Sequence, residues 1–194
     1  MGNTKEQSTD SQNPNSGTGS RELIIREAAA NEGHLLEAVL YEAYSQYEQE
    51  LPQDAWIAYK ASIAEAIEKS STIAKLVAEL DGEIVGSVFV YASSETAYGN
   101  ASLGIHSPII RLLGVTAKAR GRGVATELIR ASVKLASERG ADTLYLHTSD
   151  MMGAAIRLYE RLGFERALDK EFMTGENRLV KSYRLQLADT LLLQ

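Results

Sequence analysis

The stretch Leu112-Leu113-Gly114-Val115-Thr116-Ala117-Lys118-Ala119-Arg120-Gly121-Arg122-Gly123-Val124-Ala125-Thr126 holds the residue types best suited to bind a charged ligand. It reads as an apolar strand, a short cationic glycine turn, and the start of an amphipathic helix. The first turn of a helix leaves N–H groups unpaired and carries partial positive charge. A glycine-rich turn lets those N–H groups close on an anion, and phosphate is the usual guest. Arg120 and Arg122 add full charges at the same place. Taken alone, the turn reads equally well as a solvated basic connection between a strand and a helix. It is not a phosphate loop of the Gly-Lys-Ser/Thr kind, because those residues do not follow. Nor is it a dinucleotide fingerprint, because the third glycine is absent.

Other chemistries are excluded by what the chain lacks. It contains no cysteine, so disulfides, thiolate metal sites and a cysteine nucleophile are all ruled out. The three histidines, His34, His106 and His147, lie far apart and show no metal-ligand spacing, so no metal is expected.

Two motifs narrow the reading. Arg120, Gly123 and Ala125 form Arg-x-x-Gly-x-Ala after a strand ending at Val115. Further on, Met152-Gly153-Ala154-Ala155-Ile156-Arg157-Leu158-Tyr159-Glu160-Arg161-Leu162-Gly163-Phe164 follows Asn-x-x-Ala-x-x-Leu-Tyr-x-x-x-Gly-Phe in all but its first residue. With a helix and a strand between them, the two resemble the signatures of the GNAT (GCN5-related) N-acetyltransferase superfamily. The resemblance covers about residues 21–190.

That resemblance implies transfer of an acetyl group from the cosubstrate acetyl-CoA to an amine. It implies that a bulge parts the fourth strand from the fifth, so that Leu113 and Val115 offer backbone groups to the pantetheine arm, with the Val115 N–H facing the thioester. It places the pyrophosphate on the N–H groups of Gly121, Arg122, Gly123, Val124, Ala125 and Thr126, with Arg120 and Arg122 beside it. It also makes Tyr159 the acid that protonates the departing thiolate. The chemistry asks for such groups. Attack on a thioester puts charge on the carbonyl oxygen, and one preorganised donor there contributes about 10²–10³ in rate. A phenol with pKa of about 10 can donate a proton to a thiolate, and such donors contribute about 10²–10⁴.

The sequence departs from the family pattern twice. Met152 stands where the motif has asparagine, so a side-chain hydrogen bond to CoA is lost. Ile109 matches a position where many relatives carry a glutamate base. The base then lies elsewhere, or the acceptor amine has a lowered pKa, or the protein is an acetyl-CoA sensor and not a catalyst. His106, in the loop before the fourth strand, is the nearest alternative base. Without a cysteine, direct transfer in a ternary complex is expected in place of a ping-pong route.

The elements that position these residues follow from periodicity. Residues 22–27 read as a strand. A helix follows, capped by Asn31, with Leu36, Leu40, Ala43 and Tyr47 on one face. Pro52 and Asp54 open a second helix carrying Trp56, Ile63 and Ile67. Residues 73–80 and 83–91 form a hairpin on Asp81-Gly82, which suits a type I′ turn. Residues 92–107 read as loop. Strands are expected over 108–115, 143–148, 164–172 and 180–187, the last two joined by a turn at 174–177. Helices are expected from the glycine turn to about Arg139 and over 153–162. The order β-α-α-β-β-β-α-β-α-β-β implies an α/β (α+β) mixed sheet with helices on both faces, the GNAT fold.

The chain has 194 residues, 44% hydrophobic and 24% charged, with a net charge of −6. This suits a single domain over residues 21–194. Residues 1–20 carry no Leu, Ile, Val or aromatic side chain and read as a disordered tail. An acidic chain with no basic stripe argues against nucleic acid. No apolar run suits a membrane span or a secretory signal, and a cytoplasmic location is expected. The acceptor is read as a small-molecule amine ahead of a protein, with its identity open, and a homodimer is the assembly kept in view.

Overall fold

The computed structural model describes residues 22–69, 71–174 and 177–194. The expected tail over residues 1–20 and the centre of the turn at residues 175–176 lie outside the described residues.

Strand β1 (Leu23–Glu27) leads into α1 (Gly33–Tyr44), a short 3-10 turn over Ser45–Glu50, and α2 (Gln53–Lys69). Then come β2 (Ala74–Leu80), β3 (Glu83–Tyr91), the short helix α3 (Ser94–Tyr98), β4 (Ile109–Val115) and α4 (Val124–Glu138). The chain ends with β5 (Thr143–Thr148), α5 (Gly153–Arg161), β6 (Glu165–Arg166), β7 (Phe172–Met173) and β8 (Leu179–Gln186). The eight strands form one sheet in the order β1-β2-β3-β4-β5-β8-β6, with β7 also paired to β8. Every pairing is antiparallel except β4 with β5. Only this parallel pair needs a long crossover, and α4 supplies it.

Period-two alternation along the strands sends side chains to two separate cores. On one face Val85, Val88, Val90, Ile110, Leu144 and Leu146 meet Leu128, Ile129 and Val133 of α4. On the other, Phe89, Tyr91 and Ile109 meet Leu36, Leu40 and Ala43 of α1 with Trp56 and Ile63 of α2. The Asp81-Gly82 turn has φ of 54° and 79°, the two positive values that a type I′ turn requires.

The structure differs from expectation in three places. The cap of α1 falls at Glu32, not Asn31. The Glu32 carboxylate accepts the Ala29 N–H and forks with Arg26, which also pairs with Glu79. Those bonds hold the carboxyl well below its ordinary range, at about 2. Residues 92–107 contain α3, closed by a capping box between Ser93 and Thr96. The strand expected over 164–172 is two strands of two residues each. Between them the chain leaves the sheet for a 3-10 turn over Leu168–Lys170. There Lys170 gives up ladder bonds and reaches back with Nζ to the carbonyls of Leu103 and Gly104, 3.3 Å from each.

Candidate active site

The parallel pair β4 and β5 is the origin of the site. Their ladder holds at Ile109 with Tyr145 and Ile110 with Leu146, and then the strands part although both continue. The cause is a bulge in β4. Between Ser87 and Phe89 of β3 stands one residue, while Leu112 and Leu113 both stand between their partners Gly114 and Arg111. An extra residue in one strand bends it and raises its twist. Leu112 absorbs the insertion at φ +53°, a left-handed backbone that a leucine rarely adopts.

Beyond the bulge, β4 offers backbone groups to the gap. The Thr116 N–H donates to the Val85 carbonyl at 2.9 Å on the β3 side. Alternation along an antiparallel ladder then turns the Val115 N–H toward the vacated β5 side. The Leu113 carbonyl accepts the Tyr44 hydroxyl at 3.2 Å, which leaves it one further lone pair. Helix α1 can lie this close because residue 114 is glycine. A Cβ there would stand 3.0 Å from both Leu40 Cδ2 and Ala43 Cβ.

The gap opens into a cleft of about 390 Å³. Ala43, Tyr44, Gln46 and Tyr47 line it on one side, and Leu113, Gly114 and Val115 form its floor. The turn from Ala119 to Thr126 and the face of α5 carrying Met152, Ala155, Leu158 and Tyr159 complete it. The two sequence motifs therefore meet across one cavity. Among the described residues the only charged ones lining it are Arg120 and Arg161, and no acid does, although the chain is acidic overall.

The turn leaves its backbone donors free. None of the N–H groups of residues 121–126 donates to another described residue. Gly123 caps α4 at φ +78°, which directs the following N–H groups outward and suits glycine alone without strain. Arg120 lies along the wall of the cleft, its Nε donating to the Val115 carbonyl at 3.2 Å and its Nη2 to the Ala43 carbonyl at 3.1 Å. Arg122 is exposed and does not line the cleft.

Tyr159 stands at the inner end. Its ring packs on Phe164 at 5.9 Å and Tyr183 at 6.5 Å, and it is 7% exposed. Burial, reinforced by the phenols of Tyr47, Tyr59 and Tyr98, pushes its hydroxyl pKa up. The group therefore stays a neutral donor across the physiological range. Met152 lines the cleft where the motif has asparagine, with an apolar side chain in place of a hydrogen-bonding one. Ile109 is fully buried among the residues under α1 and α2. His106 is exposed and absent from the cleft lining.

Three residues on the other side of the strand gap carry chemistry that the motifs do not mark. Arg111 and His147 are the first residues beyond the last paired rung of β4 and β5. The His147 Nε2–H donates to the Lys170 carbonyl at 3.2 Å, which makes Nδ1 the acceptor for the Tyr98 hydroxyl at 2.9 Å. Burial pushes the His147 imidazole down to about 4, so it is neutral. The Arg111 guanidinium lies over the Tyr98 ring at 4.5 Å and the Tyr91 ring at 5.6 Å. The sequence signal for Arg111 was one charged residue inside an otherwise apolar strand. Among the described residues no three of His, Asp and Glu come together as metal donors. No helix among them is long and apolar enough to cross a membrane.

Comparison with known proteins agrees with this architecture. Residues 34–164 match the acetyltransferase (GNAT) family. The rat protein N-acetyltransferase family 8 member 2 is 32% identical over 90 residues, 46% of this chain and 38% of that one. N-alpha-acetyltransferase 30 of Schizosaccharomyces pombe is 42% identical over 57 residues, 29% of this chain and 38% of that one. The matches thus span less than half the length of these curated relatives. Among solved structures, a GNAT-family acetyltransferase from Staphylococcus aureus superposes with a TM-score of 0.61 at 17% identity, covering 86% of this chain and 99% of that one. The ribosomal-protein-S18-alanine N-acetyltransferase of Escherichia coli superposes with a TM-score of 0.59 at 14% identity, covering 86% and 94%. At those identities the likeness is one of fold. On the family match and the shared architecture together, the chain belongs to the acetyltransferase (GNAT) family.

Proposed function

We propose that the chain transfers an acetyl group from acetyl-CoA to an amine by direct attack in a ternary complex. The observation that carries this reading is the single cleft joining a set of unpaired N–H groups, an unpaired strand edge and a buried neutral phenol. The N–H groups of residues 121–126 suit a pyrophosphate, with the α4 dipole behind them. The strand edge at Leu113 and Val115 suits an extended amide-bearing arm, and the Val115 N–H suits the thioester oxygen. As the amine nitrogen forms the new C–N bond and the C–S bond breaks, the electron pair goes to sulfur. Tyr159 then supplies the proton that sulfur takes up.

The amine must also lose a proton. Among the described residues no carboxylate lines the cleft, and Ile109 is buried, so this reading leaves that proton to solvent and gives His106 no role. The buried Ile109 also favours a second reading, an acetyl-CoA sensor without catalysis. A small-molecule amine acceptor and a homodimer belong to the first reading, with no nucleic acid involved.

Thermal melting with ligand, paired with thiol release, separates the two. Acetyl-CoA is expected to raise the melting temperature where ATP and NAD do not, and amines are expected to release CoA thiol. Stabilisation without release from any amine supports the sensor. No stabilisation by acetyl-CoA overturns both.

A further inference from the structure

We infer that the acceptor amine carries a carboxylate, and that Arg111 is the residue that selects it. The inference rests on the acetyl-transfer reading, because it takes the thioester end of the cleft to lie at the strand gap.

Arg111 sits at the apex of that gap, immediately before the bulge and on the face beneath α1 and α2. It is half-buried, and its Nη1 donates to the Ala97 carbonyl. No other acceptor engages it among the described residues, so Nε and Nη2 keep their N–H groups. Arg26, also partly buried, is bridged to Glu32 and Glu79. Among the described residues no carboxylate pairs with Arg111, so its free N–H groups can take an anion.

A second observation points the same way. The Tyr91 hydroxyl is buried on the same sheet face, beside Arg111, and has no hydrogen-bond partner. The neighbouring Tyr98 hydroxyl is committed to His147. The cluster of Arg111, Tyr91 and Tyr98 therefore holds donors in surplus, and among the described residues no carboxylate pairs with any of the three. A carboxylate supplies two oxygens that match the planar fork of one guanidinium. A phosphate dianion would call for a second cation, and none of the residues stacked around Arg111 supplies one. The Tyr91 and Tyr98 rings hold the guanidinium in place before the acceptor arrives, which limits the entropy lost on binding.

The carboxylate can be the α-carboxylate of an amino acid or the acidic side chain of a peptide's first residue. Two matched acceptor pairs distinguish them: alanine against alaninamide, and aspartyl-alaninamide against asparaginyl-alaninamide. In one pair or the other, the acid is expected to exceed its neutral partner at least tenfold in kcat/KM. For alanine that preference runs against intrinsic reactivity, since the amide's amine loses its proton more easily. Arg111→Met is expected to abolish the preference and Arg111→Lys to retain part of it, both with acetyl-CoA affinity unchanged. Circular dichroism melting checks that each variant is folded. Equal use of acid and neutral partners by the unaltered protein, or a preference that survives in Arg111→Met, overturns the inference.

Should no amine be turned over, calorimetry with N-acetylalanine and N-acetylalaninamide on the CoA-mixed protein decides separately, with the aspartyl and asparaginyl products tested alongside. Tenfold tighter binding of either acid, lost in Arg111→Met, supports the carboxylate site even if acetyl transfer fails. Binding of neither acid, or equal binding within both pairs, overturns it.

Discussion

On the α4 face of the sheet, Leu128, Ile129 and Val133 press into Val85, Val88, Leu144 and Leu146, and every one of these is buried. On the opposite face the core includes Trp56, Tyr44 and Tyr91, with Tyr59, Tyr98 and Tyr145 packed against it and Arg111 laid over two of the tyrosines. Burial stabilises the aliphatic part of the first face at roughly 25 cal/mol per Å², and the same cluster includes the phenols of Tyr159 and Tyr183. The second retains a lone guanidinium, a neutral imidazole and a phenol without a partner. Such groups are costly to bury and are kept where they act on something. The comparison teaches that one sheet carries an aliphatic core on one side and a cluster of aromatic, cationic and imidazole groups on the other, with Tyr159 of the cleft belonging to the first. The gap between β4 and β5 is the place where the two meet.

Substitutions in the aliphatic core and at the polar groups should therefore separate stability from activity. The largest effect is expected at Leu128, which is fully buried at the centre of the aliphatic face. Leu128→Ala should lose about 3–5 kcal/mol of stability, since the cavity is walled by sheet and helix and cannot collapse. Denaturant unfolding checks this, and the folded fraction should keep its affinity for acetyl-CoA.

Next comes a pH effect from the polar face. His147 takes up its proton near pH 4 in the folded protein, below the ordinary value of 6.5, because burial disfavours the charged ring. Between those values the unfolded chain binds more protons, so stability falls as pH drops from about 6.5 toward 4 and is fully present above that window. The full contribution is about 3 kcal/mol, from 1.36 kcal/mol per pKa unit. His147→Gln should flatten that part of the stability–pH curve. An unchanged slope would remove His147 from the account.

The smallest effect is expected at Gly123. A Cβ there meets nothing within 4 Å, so the penalty for Gly123→Ala is conformational only. Holding alanine at φ +78° costs about 1–2 kcal/mol. Relaxation of that strain would turn the N–H groups of residues 121–126, so acetyl-CoA should also bind several-fold more weakly by calorimetry.

The legible part of the site was its local part. The Gly121–Gly123 turn and the α5 residues around Tyr159 are each contiguous in sequence, and their spacing survives folding as one wall each of the cleft. The long strands and helices were legible for the same reason, since each has its own period. What stayed hidden depends on register. Tyr98 and His147 stand 49 residues apart and meet only because the 3-10 turn at Leu168–Lys170 holds the ring from its other side. That excursion is also why the expected strand over 164–172 broke in two. Arg111 carried only one faint sign, a single charge inside the run Ile109–Leu113, which otherwise reads as a buried strand. Nothing in leucine's chemistry announces that Leu112 would take a left-handed backbone. The fit of β4 between β3 and α1 decides that, and it is this fit that opens the cleft.

The central claim is that the buried phenol of Tyr159 protonates the thiolate that leaves acetyl-CoA. Tyr159→Phe tests it most directly, because the ring that packs on Phe164 and Tyr183 is kept and only the hydroxyl is removed. Amine-dependent thiol release should fall at least tenfold, while the dissociation constant for acetyl-CoA stays where it was. Turnover unchanged in the variant would contradict the claim.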